Sequence, residues 1–280
     1  MADDLLVATG VEVTYGGRAS ILGAGRPGNK VLHGTDIRIG RGETVGIVGE
    51  SGSGKTTLGR ALLRLIDVSA GRILFDGRDI TRLPDRDMRP LRRRMQMIFQ
   101  DPMASLNPRH SIRRILAEPL FLHGLASDRR QAEGLLREML DRVSLPAVVL
   151  ERNPHELSGG QRQRIGIARA ALLRPDFVLA DEIVSGLDVS TQAQVLNLLK
   201  GLSREMGLSM AFISHDLSVI RAVCDRVYVL RLGKIVEHGP CQQVFSAPRS
   251  AYTKVLLDAI PLPEIDPSWL TRSSVSEDAV

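Results

Sequence analysis

The stretch VGIVGESGSGKTT, residues 45–57, decides how the rest of the chain is interpreted. It joins an apolar run that predicts a strand to a glycine-rich loop, and the run LGRALLRLI that follows predicts a helix. Glycines in such a loop let backbone N–H groups turn toward phosphate oxygens, and the helix N-terminus adds its partial positive charge. The stretch therefore predicts a phosphate-binding loop (P-loop).

Two side chains of this loop have expected roles on a nucleotide. Lys55 would reach the β- and γ-phosphates, and Thr56 would hold Mg²⁺. A flexible Gly/Ser loop is the alternative, and the preceding strand, the following helix and the Lys-Thr pair argue against it. The predicted phosphate-binding residues are Gly49, Ser51, Gly52, Ser53, Gly54, Lys55, Thr56 and Thr57.

A second apolar run, FVLADE at residues 177–182, ends in two adjacent acids. Unpaired carboxylates at the end of a buried strand are costly, so a metal ion and an attacking water are the partners we expect for them. We predict that Asp181 contributes to the Mg²⁺ site through water. We predict that Glu182 orients and deprotonates the attacking water. An exposed loop carboxylate is the alternative for Glu182.

The composition is that of a globular chain of 280 residues, with 43% hydrophobic and 25% charged residues. No uncharged run is long enough to cross a bilayer, and the start MADDLLVATG is acidic where a signal peptide is basic. We therefore expect a cytosolic chain, or one held to a membrane through a partner. Cys224 and Cys241 are too few and too far apart for a metal or redox motif.

The net charge of +5 is concentrated in RDMRPLRRRM and RHSIRR, and aromatic residues make up only 4% of the chain. With few rings to stack on bases, this pattern argues against base-reading nucleic-acid binding. We expect no nucleic-acid partner.

The order of periodicities predicts an α/β organisation. The runs LLVATGVEVTY, KVLHGTDIRIG and GRILFDGRDI have strand character, the last with an Asp-Gly turn, and residues 16–30 predict a long hairpin loop. Residues 101–157 predict a helical insertion, because SIRRILAEPLFLHG and RRQAEGLLREMLDRV carry helical spacing. Helices and strands alternate afterwards, which indicates a parallel sheet with right-handed crossovers.

The segment HELSGGQRQRIGIARA, residues 155–170, predicts a second phosphate-binding site. Ser158 is placed to cap a basic helix, and the two glycines after it leave backbone amides bare. No strand precedes the segment, so it is not a second P-loop. An ordinary helix N-cap beside glycines is the alternative.

Together these motifs resemble the ATP-binding subunits of ABC transporters over nearly the whole chain. The matching positions, in family order, are Tyr15, GESGSGKTT, Gln100 in MIFQDP, LSGGQ, VLADE, Asp188 in SGLD and His215 in ISHD. The resemblance implies an α/β fold with a RecA-like P-loop ATPase core, an antiparallel β subdomain and an inserted α-helical subdomain. It also implies ATP and Mg²⁺ as ligands and ATP hydrolysis coupled to transport.

The resemblance also implies boundaries within the chain. Residues 1–100 would hold the antiparallel β subdomain and the first part of the core with the P-loop, and residues 101–157 the helical subdomain. Residues 158–235 would hold the signature motif LSGGQ and the rest of the core, and residues 236–280 a C-terminal extension.

Further roles come from the resemblance alone. In that family the LSGGQ segment of one subunit covers the γ-phosphate held by the other subunit's P-loop, which implies a head-to-tail dimer. Tyr15 would stack on adenine, with a core strand tyrosine as the alternative. Gln100 would touch Mg²⁺ and water and sense the membrane partner, and His215 would contact the γ-phosphate. The residues expected at the dimer interface are Ser158, Gly159, Gly160, Gln161 and Asp188.

The chain departs from the family pattern at Ile183, where Pro is usual, and we expect that turn to be slightly looser. The segment GKIVEHGPCQQVFSAPRSAYTKVLLDAIP and Asp266-Pro267 resemble the C-terminal extension of importers for oligopeptides, dipeptides and nickel. The match is imperfect, because Ser250 and Ala251 stand where His and Pro are frequent. An amphipathic helix with a proline stop is the alternative.

The extension also bears on the partners. Cys241 alone cannot build the iron–sulfur site of some related subunits. The chain therefore resembles the partner subunit without the cluster, which implies a heterodimer with a different ATPase chain. The other implied partners are two transmembrane permease subunits and, indirectly, an extracytoplasmic solute-binding protein. The implied location is peripheral, at the cytoplasmic face of the cell membrane.

Two other classes stay open at this point. An ATPase acting on DNA or ribosomes would need a coiled-coil insertion or a tandem second ATPase half. A soluble accessory ATPase of an enzyme complex would bind soluble subunits without membrane proteins. For a transporter, peptides, nickel complexes, opine-like compounds and some sugars are all compatible with the resemblance.

Overall fold

The computed structural model describes residues 4–16 and 28–259, which form ten strands and ten α-helices. The strands are β1 (Asp4–Tyr15), β2 (Asn29–Gly40), β3 (Thr44–Val48), β4 (Ala70–Phe75), β5 (Arg78–Asp79), β6 (Met95–Ile98), β7 (Phe177–Asp181), β8 (Ser209–Ile213), β9 (Arg226–Arg231) and β10 (Lys234–Pro240).

The helices connect these strands and fill the region between β6 and β7. They are α1 (Lys55–Leu62), α2 (Asp85–Arg94), α3 (Pro102–Ser105), α4 (Ile112–Leu122), α5 (Arg129–Arg142), α6 (Gly159–Ala171), α7 (Val189–Met206), α8 (Leu217–Val223), α9 (Cys241–Ser246) and α10 (Ala251–Asp258). Two 3₁₀ helices, Ala147–Glu151 and Pro154–Glu156, lie between α5 and α6.

The smaller sheet is antiparallel, in the order β2-β1-β4-β5. The β4–β5 hairpin turns at Asp76 and Gly77, whose φ angles of 53° and 73° are those of a type I′ turn. Phe75 pairs with Arg78 across this turn, as the Asp-Gly dipeptide predicts.

The larger sheet has the order β10-β9-β3-β8-β7-β6, with β10 as an antiparallel edge and the other strands parallel. Every residue of β3, β7 and β8 is buried. Continuous apolar runs are expected in strands that are covered on both faces. The predicted parallel sheet is therefore confirmed.

The sheet separates two apolar clusters. One joins α1 to the antiparallel sheet through residues such as Leu58, Leu62 and Phe75. The other joins the opposite face of the sheet to α6, α7, α8 and the helices of residues 101–157. The strand ends are thus held rigidly from both sides.

The predicted helices of residues 101–157 are confirmed. Ser111 caps α4 by accepting a hydrogen bond from the Arg114 N–H at 3.4 Å, and Asp128 caps α5 by accepting one from the Gln131 N–H at 2.8 Å. The buried residues of α4 recur at helical spacing and pack against those of α5: Ile112, Ile115, Leu116 and Leu120 against Ala132, Leu136, Met139 and Leu140.

The sequence pattern gives no prediction for α2 and β6. α2 buries only Met88 and Leu91 and contains Pro90, which weakens a helical signal. β6 is a strand of four residues, MQMI, at the edge of the sheet. Both are short elements that tertiary packing stabilises.

Two predictions fall outside the described residues, largely or wholly. They are the hairpin loop of residues 16–30 and the match at Asp266-Pro267. Within the described ranges, no helix combines the length and the apolar character that crossing a bilayer requires.

Candidate active site

Four parallel strands of the larger sheet end at the same edge, and each is followed by a predicted site residue. The P-loop follows β3, Gln100 lies just after β6, and His215 lies just after β8. Asp181 is the last residue of β7, and Glu182 follows it. Parallel strands present their carboxyl ends on one side, which is where open α/β sheets bind ligands.

The shape of the P-loop requires glycine at two positions. Gly49 has a φ of 147°, and a Cβ atom there would lie 2.1 Å from the Leu230 carbonyl oxygen. Gly54 has a φ of 104° and precedes α1. Because it has no side chain, Gly54 cannot cap the helix, so the first amides of α1 have no side-chain cap. The backbone is thus arranged as an anion cradle.

Lys55 lies inside this cradle. Its ammonium group is buried and donates hydrogen bonds to the carbonyl oxygens of Gly49 and Glu50, at 2.8 Å each. Burial lowers the pKa of Lys55, and the nearby carboxylates of Glu182 and Asp181 partly oppose that effect. A buried cation of this kind is stabilised further by an anionic ligand.

Asp181, at the end of β7, is in contact with Thr56, in the first turn of α1. The Thr56 hydroxyl donates to Asp181 Oδ1 at 3.2 Å. Burial raises the pKa of Asp181, the hydrogen bond from Thr56 lowers it, and the charge of Glu182 raises it again. A buried carboxylate next to a second acid favours a bound cation.

Glu182 is the centre of the acidic side of the site. Its Oε2 atom accepts a hydrogen bond from Gln100 Nε2 at 2.9 Å and lies 3.7 Å from His215 Nδ1. Its backbone φ is 48°, a left-handed conformation that is unfavourable for glutamate. The amide of Glu182 donates to the Ile213 carbonyl at 2.9 Å, which holds this conformation in place.

These residues enclose a cavity of about 330 Å³, lined by Val31, Ser51, Gly52, Gly54, Lys55, Thr56, Thr57 and Glu182. The Ser53 hydroxyl is buried beside it and has no hydrogen-bond partner among the described residues. The free hydroxyl, the cationic Lys55 and the open amides fit a nucleotide phosphate.

The donor set also fits Mg²⁺. This ion takes one or two carboxylates together with water and substrate phosphates, rather than a complete protein cage. Asp181 and Thr56 supply a carboxylate and a hydroxyl, and no cluster of three His, Cys, Asp or Glu side chains occurs within residues 4–16 and 28–259. A cation here would complete its coordination with phosphate and water.

Tyr15 lies at the end of β1 and is 44% exposed, which argues against a core role. The strand register places it opposite Asn29, two residues before the cavity residue Val31. Tyr15 is not part of the cavity lining formed by the described residues.

The LSGGQ segment lines a different cavity, of about 470 Å³. Ser158 caps α6 by accepting the Gln161 N–H at 3.3 Å, and the Gln161 side chain accepts the Ser158 N–H at 3.0 Å. Gly160 packs closely, because a Cβ atom there would lie 2.8 Å from Thr191 Cγ2. Gly159 and Asp188 also line this cavity.

Asp188 caps α7 from the same cavity. Its carboxylate accepts hydrogen bonds from the Thr191 hydroxyl at 2.7 Å, from the Thr191 amide at 2.9 Å and from the Ser190 hydroxyl at 2.9 Å. These bonds, with that from the Thr191 hydroxyl the strongest, lower the pKa of Asp188 to about 2. Asp188 is therefore an exposed but fully charged group at neutral pH.

The structure thus divides the predicted residues into two sets. Lys55, Thr56, Gln100, Asp181, Glu182 and His215 come together at the strand ends. The LSGGQ segment and Asp188 line the second cavity, which shares no residue with the first. The chain's own LSGGQ segment does not cover its own P-loop.

Comparison with known proteins identifies the family. The model of the ABC transporter family matches residues 32–185. The oligopeptide transport ATP-binding protein OppF of Bacillus subtilis is 48% identical over 238 residues, which are 85% of this chain and 78% of that protein. This chain belongs to the ABC transporter family. A Brucella ovis protein described as a peptide import ATP-binding protein is 54% identical over 237 residues, 85% of this chain and 74% of that protein.

Solved structures of ABC cassettes share the fold. The ATP-binding cassette MJ0796, in a dimeric post-hydrolysis state with ADP and Pi, superimposes with a TM-score of 0.75 at 28% identity, covering 84% of this chain and 98% of that one. The cassette cbiO1 from Clostridium perfringens gives 0.76 at 26% identity, covering 88% and 92%. The predicted family, fold class and ATPase activity of this ABC transporter subunit are confirmed.

Sequence reasoning on this ABC ATPase missed two contacts. Val31, on β2, lines the nucleotide cavity, and the Tyr252 hydroxyl accepts the Glu50 N–H at 3.1 Å. Both join positions far apart in the chain, so no local spacing indicates them.

Ile183 is buried, and the turn closes through the Ser185 N–H to the Glu182 carbonyl at 3.1 Å.

Proposed function

We propose that this chain is the ATP-hydrolysing subunit of an importer for peptides or a related small solute, in the dipeptide, oligopeptide and nickel class. The observation that carries the proposal is the extent of identity. Relatives named for peptide import, oligopeptide transport and dipeptide transport are 54%, 48% and 48% identical over 84–85% of this chain. The segment after β9 also resembles the C-terminal extension of this class, apart from Ser250 and Ala251, which stand where His and Pro are frequent.

The site geometry supports a role for each polar group. Glu182 would take the proton of the attacking water, because it lines the P-loop cavity and its carboxylate is held in place by Gln100. His215, 63% exposed, would contact the γ-phosphate. Lys55 would donate to the β- and γ-phosphates, with the backbone amides of the P-loop around them. Such positioning and charge stabilisation are the main needs of phosphoryl transfer.

The Mg²⁺ site would consist of Thr56, Asp181 and Gln100. The ion, when bound, neutralises charge on the phosphate oxygens. Asp181 is held for this role by the Thr56 hydroxyl at 3.2 Å. Tyr15, exposed at the end of β1, would stack on the adenine ring.

Hydrolysis would need a second ATPase subunit in a head-to-tail dimer. The separation of the LSGGQ cavity from the P-loop cavity supports this arrangement, since each chain holds half of two composite sites. Ser158, Gly159, Gly160, Gln161 and Asp188 would face the partner's nucleotide. A contribution of ~10³-fold from these groups corresponds to about 4 kcal/mol. The partner would be a different ATPase chain.

A groove beside Gln100 supports docking of the permease subunits. It has a volume of about 350 Å³ and lies between the larger sheet and α4. Its apolar residues Leu65, Phe99 and Leu122 are 47%, 37% and 59% exposed. An exposed apolar groove next to a site residue is a suitable seat for a segment of a membrane protein. The chain would then lie at the cytoplasmic face of the membrane, with a solute-binding protein on the other side.

The same geometry supports the division of the chain. Residues 1–100 would act as the P-loop portion with the antiparallel sheet, and residues 101–157 as the helical part that meets the permease. Residues 158–235 would carry the signature motif and the rest of the core. Residues 236–280 would be the extension typical of peptide importers.

Two other functions receive less support. The longest helix among the described residues has 18 residues, so no coiled-coil insertion of the kind expected in a DNA- or ribosome-acting ATPase lies within them. A soluble accessory ATPase of an enzyme complex would have the same site. It differs only in its partners.

The test is a mild-detergent pull-down of the full chain from its own cells, with mass spectrometry of the retained proteins. We expect two polytopic membrane proteins and a second, different ATPase chain. Peptide uptake should then depend on Glu182 of this chain. Retention of soluble enzyme subunits alone would contradict the transport proposal and leave the ATPase activity unaffected.

A further inference from the structure

The segment after β10 is anchored to the larger sheet. Glu237, on β10, accepts hydrogen bonds from the backbone amides of Arg249 at 2.8 Å and Ser250 at 3.0 Å, just before α10 begins. Burial raises the pKa of Glu237, but the nearby Thr253 side chain and the hydrogen bonds from these two amides outweigh it and lower the pKa. A charged carboxylate thus sets the start of α10.

This anchor places Tyr252 against the P-loop. Tyr252 is only 8% exposed, and the Arg231 guanidinium lies 5.0 Å from the centre of its ring. Its hydroxyl accepts a hydrogen bond from the Glu50 N–H at 3.1 Å. Burial raises the pKa of Tyr252, so the group is a neutral phenol at physiological pH. Packing and the cation–π contact fix its direction.

Glu50 is the second residue of the P-loop, and its backbone carbonyl and amide bond to two different side chains. Its carbonyl accepts the Lys55 ammonium at 2.8 Å, while its amide donates to Tyr252. A parallel tie runs from the Gly233 N–H to the Ser53 carbonyl at 2.9 Å. Glycines give a loop many accessible conformations, so such ties decide how often the loop has its binding shape.

We propose that Tyr252 is a positioning residue for ATP binding. Its hydroxyl holds Glu50 in the conformation in which the P-loop and Lys55 receive phosphate. Tyr252 acts through the loop and does not touch the nucleotide, so the segment after β10 sets the affinity of the site. The proposal rests on ATP binding at this P-loop and holds whatever solute is transported.

The test is Tyr252→Phe in the full-length chain, which removes the hydroxyl and keeps the ring and its contact with Arg231. We expect the dissociation constants of ATP and ADP to rise together by about 3- to 10-fold, as expected for the loss of one hydrogen bond that favours the competent loop. The KM for ATP should rise by the same factor, with kcat within about twofold of the parent. Both nucleotides should be affected because the P-loop would hold phosphates that ATP and ADP share.

The matched control is Tyr228→Phe. This buried hydroxyl also bonds to backbone, accepting the Arg38 N–H at 3.1 Å and donating to the Arg38 carbonyl at 3.0 Å, but its backbone partner is on β2 and not in the P-loop. Its removal should lower the unfolding temperature and leave both dissociation constants unchanged. Glu237→Ala, which frees the start of α10, should raise the same two constants as Tyr252→Phe.

Three results would overturn the proposal. They are unchanged nucleotide affinity in Tyr252→Phe, a fall in kcat at constant KM, and an equal loss of affinity in Tyr228→Phe. Failure of the parent chain to bind ATP would contradict the proposed function itself, and that outcome is separate from all three.

Discussion

The P-loop and the LSGGQ segment both lead glycine-rich backbone into a helix, but they begin those helices differently. α1 follows Gly54, which has a φ of 104° and no side chain to cap the first amides. α6 follows Ser158, whose hydroxyl accepts the Gln161 N–H at 3.3 Å in a reciprocal capping box. The amides at the start of α1 are left for a ligand, whereas α6 is already capped by its own residues.

The charged groups of the two cavities also differ in how their surroundings shift their pKa values. The P-loop cavity holds a buried Lys55 and is bordered by the buried Asp181, and burial shifts the pKa of both groups toward their neutral forms. The LSGGQ cavity holds the exposed Asp188, whose pKa is lowered to about 2. Burial disfavours the charged forms of Lys55 and Asp181, whereas the hydrogen bonds of Asp188 favour its charged form. In the proposed head-to-tail dimer, such a chain would bind ATP alone and would need a second subunit to hydrolyse it.

Glu182→Gln gives the largest expected effect and tests the P-loop side. ATP hydrolysis should fall by about 10²–10⁴-fold, because the amide cannot take the proton of the water. ATP binding should be kept, so the closed dimer should accumulate and appear on gel filtration with ATP. The control is Glu138→Gln, an exposed α5 carboxylate paired with Arg142, which should hydrolyse ATP at the parent rate. Normal turnover in Glu182→Gln would refute the role.

Ser158→Arg tests whether the LSGGQ side acts on another subunit's nucleotide. The isolated chain should bind ATP with parent affinity, because its own P-loop cavity is separate. Hydrolysis by the assembled dimer should fall by about 10²-fold or more, as for the loss of preorganised donors. The control is Ser111→Arg, which removes the N-cap of α4 without touching the LSGGQ cavity. Weaker ATP binding by the isolated Ser158→Arg chain would contradict the division.

A pair of glycine substitutions compares the backbone of the two sites. Gly49→Ala should destabilise the chain by about 2–4 kcal/mol and weaken ATP binding, because its Cβ would meet the Leu230 carbonyl at 2.1 Å in a left-handed conformation. Gly159→Ala should fold normally, since the nearest atom, Leu187 Cδ2, is 4.0 Å away. Urea unfolding of both variants measures the difference. Equal stability of the two variants would show that the P-loop accepts a Cβ atom at residue 49 without strain, which would contradict the prediction.

Asp188→Ala gives the smallest expected effect. It should lower the unfolding temperature by about 2–4 °C, as for the loss of one helix cap. The carboxylate has a pKa of about 2 when folded, below the value of about 3.9 for an unfolded chain, so it stabilises the fold above that unfolded value. The difference from the parent should stay constant from about pH 8 to 5 and shrink as the pH falls below about 4. The cap at Ser158 is neutral, so Ser158→Ala should show no such pH dependence.

Prediction from the sequence succeeded where the signal is local. The strand, glycine loop and Lys55-Thr56 pair specify the P-loop, because each step of that structure needs a particular residue type at a fixed spacing. The capping role of Ser158 and the turn at Asp76 also follow from short-range geometry. The sequence pattern did not indicate α2 and β6, because two buried apolar side chains in α2 and four residues in β6 give too weak a periodicity.

The sequence by itself thus determined the family, most of the order of the elements and which residues are candidates for the site. The tertiary structure alone decided that Gln100 and His215 meet at one carboxylate of Glu182, that the LSGGQ segment opens into a separate cavity, and that Tyr252 holds the P-loop. The physical reason is the sequence separation over which each kind of interaction acts. Backbone conformation and helix capping act over a few residues, whereas these contacts join strand ends and helices whose positions depend on how the whole sheet packs.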